Sequence, residues 1–289
     1  MREDFAAIIL TRGRPDNVKT YKTLRRQGYT GQIIIVIDNE DETAKRYIEN
    51  YGRENIVIID KAAYAQGVDT GDLGEDRRCV VYARNACFDI AGFLGYRYFV
   101  MLDDDYVSFR FRFEEEGKLR GIRANNLDDV FSAMIDFLDE SGALTVAFSQ
   151  GGDFIGGLKN AFWISRIKRK AMNTFFCDVR KPFEFMGSIN EDVNMYTLLG
   201  NRGELIMSIA DVSVEQLPTQ ANAGGLTDIY LDKGTYIKSF YSVLFSPQCV
   251  TVRDMGPKHR RFHHNIAWDH CVPQILSESL KKQSERKSI

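Results

Sequence analysis

The sequence predicts an α/β fold with a Rossmann-like, mostly parallel sheet flanked by helices. Three observations carry this. First, four short apolar runs, at residues 5–10, 33–37, 56–59 and 98–102, are continuous rather than alternating. Continuous runs mark strands buried on both faces, as in parallel sheets. Second, segments with helical spacing separate the runs, and strand–helix alternation gives right-handed crossovers. Third, the runs end in polar residues, and open α/β sheets bind ligands beyond the carboxyl ends of their strands.

The first run (FAAIIL) breaks at Thr11-Arg12-Gly13-Arg14-Pro15, where glycine and proline punctuate the chain. Residues 17–27 then have helical spacing, and Gly28 follows. The second run (IIIVI) ends in Asp38-Asn39, and residues 43–51 form the next helical segment, stopped by Gly52. The third run (IVII) ends at Asp60. Residues 61–78 hold Gly67, Gly71 and Gly74 among several acids, with little apolar periodicity. They are expected to be a loop, either a mobile cover over the strand ends or a plain connection. Residues 80–94 are helical, and the fourth run (YFVML) ends in Asp103-Asp104-Asp105.

Beyond residue 105 the pattern is mixed. Residues 107–113 (VSFRFRF) alternate as a half-exposed strand does. Residues 127–138 form an amphipathic helix behind Asn125-Asn126. Strands are expected at 144–148 and 161–167, around a 150–159 loop with four glycines. Residues 174–185 suggest a strand pair, 191–199 a helix capped by Asn190, 205–215 a strand, and 227–245 a mostly helical stretch. The expected organisation is a single domain over 1–276, with halves at 1–105 and 106–276 and a C-terminal helical extension. A polar, basic tail follows at 277–289.

Composition narrows the functional classes. The 289 residues are 44% apolar and 27% charged, enough for a core. Lys and Arg number 38 against 40 Asp and Glu, a net charge of -2. That excludes a globally basic nucleic-acid coat and leaves room for a local basic groove. The five cysteines are odd in number and lack a CxxC, so reduced thiols are expected. No run reaches the roughly 20 apolar residues of a membrane span, and the N-terminus lacks a signal core. The expectation is a soluble, cytoplasmic protein with no membrane partner.

Asp103-Asp104-Asp105 is the strongest chemical motif. Adjacent carboxylates repel, so a strand end tolerates them with a compensating cation. Hard oxygen ligands suit Mn²⁺ or Mg²⁺, and such a metal neutralises a leaving diphosphate. Asp103 and Asp105 are the candidate ligands; a solvated acidic turn is the alternative. Glu191-Asp192 opens a helix, where the dipole favours carboxylates. Asp192 could take a proton from an acceptor hydroxyl, or be an ordinary helix-start acid. All four histidines lie between residues 259 and 270. Imidazole is a common ligand beside carboxylates, and His263 or His264 is the candidate; plain surface or core histidines are the alternative. Arg84 is either a fork for a diphosphate or a helix-surface arginine. Gly151, Gly152 and Asp153 either receive an acceptor or turn a hairpin. Trp163 either stacks on a sugar or base or fills the core. The basic run Arg166, Lys168, Arg169 and Lys170 either holds a nucleic-acid backbone or is a solvated face.

An α/β sheet ending in a DxD resembles the GT-A glycosyltransferases. The resemblance is closer to the TET-associated glycosyltransferases of bacteriophages. It rests on residues 11–17 (TRGRPDN), 82–85 (YARN), 102–105 (LDDD), 189–192 (INED), 223–227 (AGGLT) and the histidine-rich C-terminus. By this resemblance Thr11, Arg12 and Arg14 contact the nucleotide, and Asp38 holds its base or ribose. Arg84, Asp103 and Asp104 complete the donor site. Asp192 and Glu191 form the acceptor-side acidic pair, and a C-terminal histidine completes the metal site. Residues 1–105 become the nucleotide-sugar half and 106–276 the acceptor half. The implied reaction moves a sugar from a UDP-type donor to a hydroxymethylated pyrimidine in DNA. In a phage that happens in the host cytoplasm, and a duplex acceptor base must be exposed first.

Rival classes fit less well. A nucleotidyltransferase needs a glycine-rich basic phosphate loop after the first strand, and Gly13-Arg14 is a poor version. No G-x-G-x-x-G follows Leu10, and a P-loop is absent. A non-catalytic DNA-binding module is at odds with the near-neutral charge and the acidic triad.

Overall fold

The computed structural model describes residues 1–71, 77–216, 236–255 and 261–273. The four apolar runs become β1 (Phe5–Leu10), β2 (Gln32–Asp38), β3 (Ile56–Ile59) and β4 (Tyr98–Asp103). They pair in parallel in the order β3-β2-β1-β4. Helices α1 (Lys19–Arg26), α2 (Ala44–Tyr51) and α4 (Val81–Phe93) lie between them in the chain. A short helix, α3 (Lys61–Ala65), occupies the start of the expected loop. Asp60 nucleates it by accepting hydrogen bonds from the N–H groups of Ala62 and Ala63, an N-cap that needs no apolar periodicity.

The second half continues the same sheet. It contains β5 (Tyr106–Glu115), β6 (Lys118–Arg123), β7 (Thr145–Gln150), β8 (Ile167–Lys168), β9 (Thr174–Asp178) and β10 (Ile206–Gln216). The order runs β4-β9-β7-β10-β5-β6, with β8 also on β10. β9 is antiparallel to β4 and β7, while β7 and β10 are parallel. The chain leaves β4 at Asp103 and enters β5 at Tyr106, four places along that order. Four strand spacings would be about 19 Å in a flat sheet. Three residue steps reach at most about 11 Å. The sheet therefore curls, and the aspartate triad sits where the chain crosses between its halves.

Alternate residues of each buried strand feed different cores. Ala6, Ile8 and Leu10 of β1 join the cluster that contains α4 and, from α7 (Glu191–Asn201), Val193 and Met195. Phe5, Ala7 and Ile9 join the cluster around α5 (Leu127–Ser141). This period-two split on a continuous apolar strand is why the run could not alternate with polar residues.

Some expectations fail for local reasons. Residues 161–167 are helix α6 (Ala161–Ser165) and the short β8, because Asn160 caps the N–H groups of Phe162 and Trp163. The expected strand pair at 174–185 is the single strand β9. Asn190 does not cap α7 with its side chain. Its φ is 53°, and its Nδ2 donates instead to the Lys238 carbonyl and Ser242 Oγ. Among the described residues, the C-terminal region holds helix α8 (Ile237–Phe245) and, after it, the antiparallel pair β11 (Val250–Met255) and β12 (Arg261–Ile266), so it is not purely helical; the expected helical residues 227–235 lie outside the described residues. Residues 223–227, His259 and the tail at 277–289 lie outside the described residues. All five cysteines are free and buried. Among the described residues, no helix is long and apolar enough to cross a membrane.

Candidate active site

The loop after β1 is pinned from below. Gly13, at φ 69°, donates its N–H to Asp41 at 2.7 Å. Arg14 donates its N–H to Tyr47 Oη at 2.8 Å. Thr11 Oγ1 lies 3.0 Å from Tyr47 Oη and donates to Asp104 at 2.6 Å. Arg14 Nη1 meets the same carboxylate at 3.1 Å. Asp104 is buried, and burial raises its pKa against the pull of Arg14 and Thr11. The middle aspartate therefore fastens the β1 loop to the end of β4.

Asp38, at the end of β2, receives Lys61 Nζ at 3.0 Å and lies 3.5 Å from Arg12 Nε. Lys61 is itself buried. Arg12 also approaches Glu40, which Arg77 holds at 2.7 Å. The ends of β2 and β3 thus form a charged shelf beside the β1 loop.

The outer aspartates differ. Asp103 accepts from Arg84 Nη2 at 3.0 Å, and Arg84 Nε donates to Glu191 at 2.9 Å. Arg84 is only 2% exposed and lies over the rings of Phe175 and Phe185. Burial works against its charge, but Asp103 and Glu191 raise its pKa further. Arg84 joins the β4 end to the start of α7. Asp105 has no side-chain donor among the described residues. Burial and the neighbouring Asp103 and Asp104 push its pKa up to about 7. Asp192 is buried beside Glu191, and burial first, then that neighbour, pushes it up to about 6.

A cation fits this arrangement. Mg²⁺ is commonly held by one or two carboxylates plus substrate phosphates. Asp103 and Asp105 offer such a pair. Among the described residues, no three His, Cys, Asp or Glu side chains form a metal-holding group. His263 and His264 lie on β12 with rings 4.3 Å apart and do not complete one. Burial, then His263, lowers the pKa of His264 to about 4.

The expected acceptor loop is built differently at its two ends. Gly151 and Gly152 are exposed. Asp153 is buried, accepts the Gln150 N–H at 3.0 Å and is held by Lys170 at 2.8 Å. Trp163 packs with Phe154 and Phe162, and the Arg166 guanidinium covers its ring at 3.9 Å. Asp153 and Trp163 brace the loop. Lys61, Tyr47 and Asp41 escaped sequence reasoning. Only Lys61 carried a signal, a cation directly after a polar strand end.

A parallel α/β half whose fourth strand ends in an aspartate triad is joined through Arg84 to a helix-borne acidic pair. A family model identifies the class as a glycosyltransferase. The chain belongs to the TET-Associated Glycosyltransferase family, whose model matches residues 5–225. Its fold is also similar to a mannosyltransferase from Pyrobaculum calidifontis solved with GDP-Man and Mn²⁺, at 12% identity and a TM-score of 0.46, covering 76% of this chain and 59% of that one. A second likeness is to TarS residues 1–349 of S. aureus, at 13% identity and a TM-score of 0.44, covering 73% and 60%. A third is to glucosyl-3-phosphoglycerate synthase from Mycobacterium tuberculosis in complex with Mn²⁺, UDP and phosphoglyceric acid, at 10% identity and a TM-score of 0.45, covering 91% and 87%. The chain thus spans about three fifths of the first two proteins. No curated protein matches the sequence.

Proposed function

We propose that this enzyme transfers a sugar from a UDP-type nucleotide donor to the hydroxyl of a hydroxymethylated pyrimidine in DNA. The observation that carries the transfer chemistry is the Arg84 bridge, which ties Asp103 to Glu191. It ties the end of β4, next to Asp105, to the start of α7, next to Asp192. Membership of the TET-associated family supports the DNA acceptor. Residues 1–105 carry the donor and 106–276 the acceptor.

The roles follow from position. The Thr11, Arg12 and Arg14 loop orients the nucleotide, with Asp38 and Lys61 beside its base or ribose. Asp103 and Asp105 would hold Mn²⁺ or Mg²⁺, which supplies charge neutralisation for the departing diphosphate when bound. Asp192 accepts the proton of the attacking hydroxyl as general base. Gly151 and Gly152 leave backbone open on the acceptor side.

The test is a donor screen with Mn²⁺ and hydroxymethylated DNA, read by UDP release and by mass spectrometry of the digested nucleosides. The expected product is a hydroxymethylpyrimidine carrying one hexose or pentose. No release and no thermal shift with any nucleotide sugar would refute the donor chemistry. Transfer solely to protein, lipid or glycan would refute the acceptor.

A further inference from the structure

The lobe over residues 151–168 combines two features that folding alone does not require. It carries an excess of cations: residues 151–170 hold five Lys and Arg against a single acid, Asp153, which Lys168 and Lys170 share, while Arg166 pairs with Asp211 of β10. It also displays bare aliphatic side chains, with Ile155 81% and Ile164 68% exposed. A side chain left in water forgoes the stabilisation of burial, which a partner that covers it recovers.

The display is rigid. Phe154, Phe162 and Trp163 form a small core beneath the loop. Asn160 Nδ2 donates to the Ile155 carbonyl at 2.6 Å while its Oδ1 caps α6. Gly156 takes a φ of 100°, which turns the chain directly after Ile155. Arg166 and Lys168 lie over the rings of Trp163 and Phe162, so they sit on the same lobe. Lys159 is exposed at the loop's end.

The lobe also stands beside the active site. Val146 of β7 is level with Phe176 of β9, and Phe176 with Val100 of β4. Three residues on, Ser149 is level with Asp103. The lobe therefore begins two residues past the level of Asp103, two strands or about 10 Å away.

We infer that this lobe grips the acceptor duplex, with Ile155 inserted between base steps as an apolar wedge and Lys159, Arg166 and Lys168 on the phosphates. The inference rests on the DNA acceptor proposed above. Apolar wedges that unstack base steps are a recurrent device of DNA-bending proteins. An enzyme acting on a base inside a duplex must take it out of the stack.

The experiment uses the full chain and two duplexes of one sequence, each with one hydroxymethylcytosine. In one the target is paired; in the other it faces an abasic site and is already loosened. Ile155→Ser should slow transfer to the paired duplex by about tenfold while changing the loosened one by less than about twofold, since unstacking is the step the wedge assists. Lys159→Ala should flatten the dependence of log affinity on log salt by about 0.9. Equal loss on both duplexes, or none on either, overturns the wedge. So does binding to phosphatidylglycerol vesicles with none to DNA. If the wild-type protein hydrolyses a nucleotide sugar yet glycosylates neither duplex, nor the same duplexes with hydroxymethyluracil, the acceptor assignment itself fails. Transfer by wild type with an indifferent Ile155→Ser removes the wedge alone.

Discussion

Arg84 has three guanidinium nitrogens and places two of them, one on Asp103 and one on Glu191, leaving Nη1 without a partner among the described residues. The planar fork can serve two carboxylates at once, which a lysine cannot. Arg84→Met would leave both acids close together with no cation between them. Breaking buried pairs costs about 3–5 kcal/mol. At roughly 2–4 °C per kcal/mol for a chain of this size, differential scanning fluorimetry should show a large fall in Tm. Arg84→Lys should recover part of the stability and little of the transfer, because one ammonium does not hold the two carboxylates in register.

Asp192 and Asp105 are raised carboxylates with opposite uses. As a base, Asp192 must be ionised, so kcat/KM should fall as pH drops through about 6. Asp192→Asn should lose about 10²–10⁴-fold in kcat. It should not lose stability. A carboxylate raised on folding stabilises below its unfolded pKa, and that contribution is lost as pH rises through about 6, so at neutral pH its charge is a burden. Asp105→Asn removes one of three adjacent charges. It should keep or raise the Tm of the metal-free protein and abolish the Tm gain on adding Mn²⁺. A Mn²⁺ gain that survives would place the cation elsewhere.

At the scale of elements, the loop into α7 is held from α8. Tyr241 Oη accepts the Ser188 N–H at 2.8 Å and donates to the Thr70 carbonyl. Gly187 donates its N–H to Asp69 at 2.8 Å, and a Cβ there would stand 2.4 Å from Asn194 Nδ2. One phenol therefore fastens the donor-side loop at residues 66–71 to the acidic pair's approach. Tyr241→Phe should cost about 1–3 kcal/mol for the buried N–H left unmatched. Hydrogen exchange should quicken at 66–71 and 187–190 together; quickening at one alone would separate the two loops.

The same elements show what a sequence can reveal. Strands β1 to β4 were legible because burial on both faces leaves a continuous apolar run. Asp103-Asp104-Asp105 and Glu191-Asp192 were legible because strand ends and helix starts have their own chemistry. Strand β6, KLRGIR, was missed because it lies at the sheet's edge and carries no alternating apolar face. Helix α6 was missed because its apolar residues resemble a strand until Asn160 caps it. The role of Arg84 was out of reach. Its partners lie 19 and 107 residues away, and only tertiary packing buries it among them.

For the whole molecule, the proposed division into donor and acceptor halves is one that the packing does not respect. Phe175 and Val193 from the second half share a core with Ala6 and Ile8 from the first. Phe131 and Phe176 share the other core with Phe5, and Phe5 touches both rings at centroid distances near 6 Å. β9 pairs with β4 across the division. A fragment ending at residue 105 would leave β4 without that neighbour and expose both cores. Chains with such shared cores unfold cooperatively. Calorimetry should therefore show one transition, and UDP with Mn²⁺ should move it as a unit by mass action, although the proposed donor site lies mainly in the first half. Two transitions, with the ligand shifting one alone, would mean that the halves fold independently and that the curled sheet does not couple donor binding to the acceptor side.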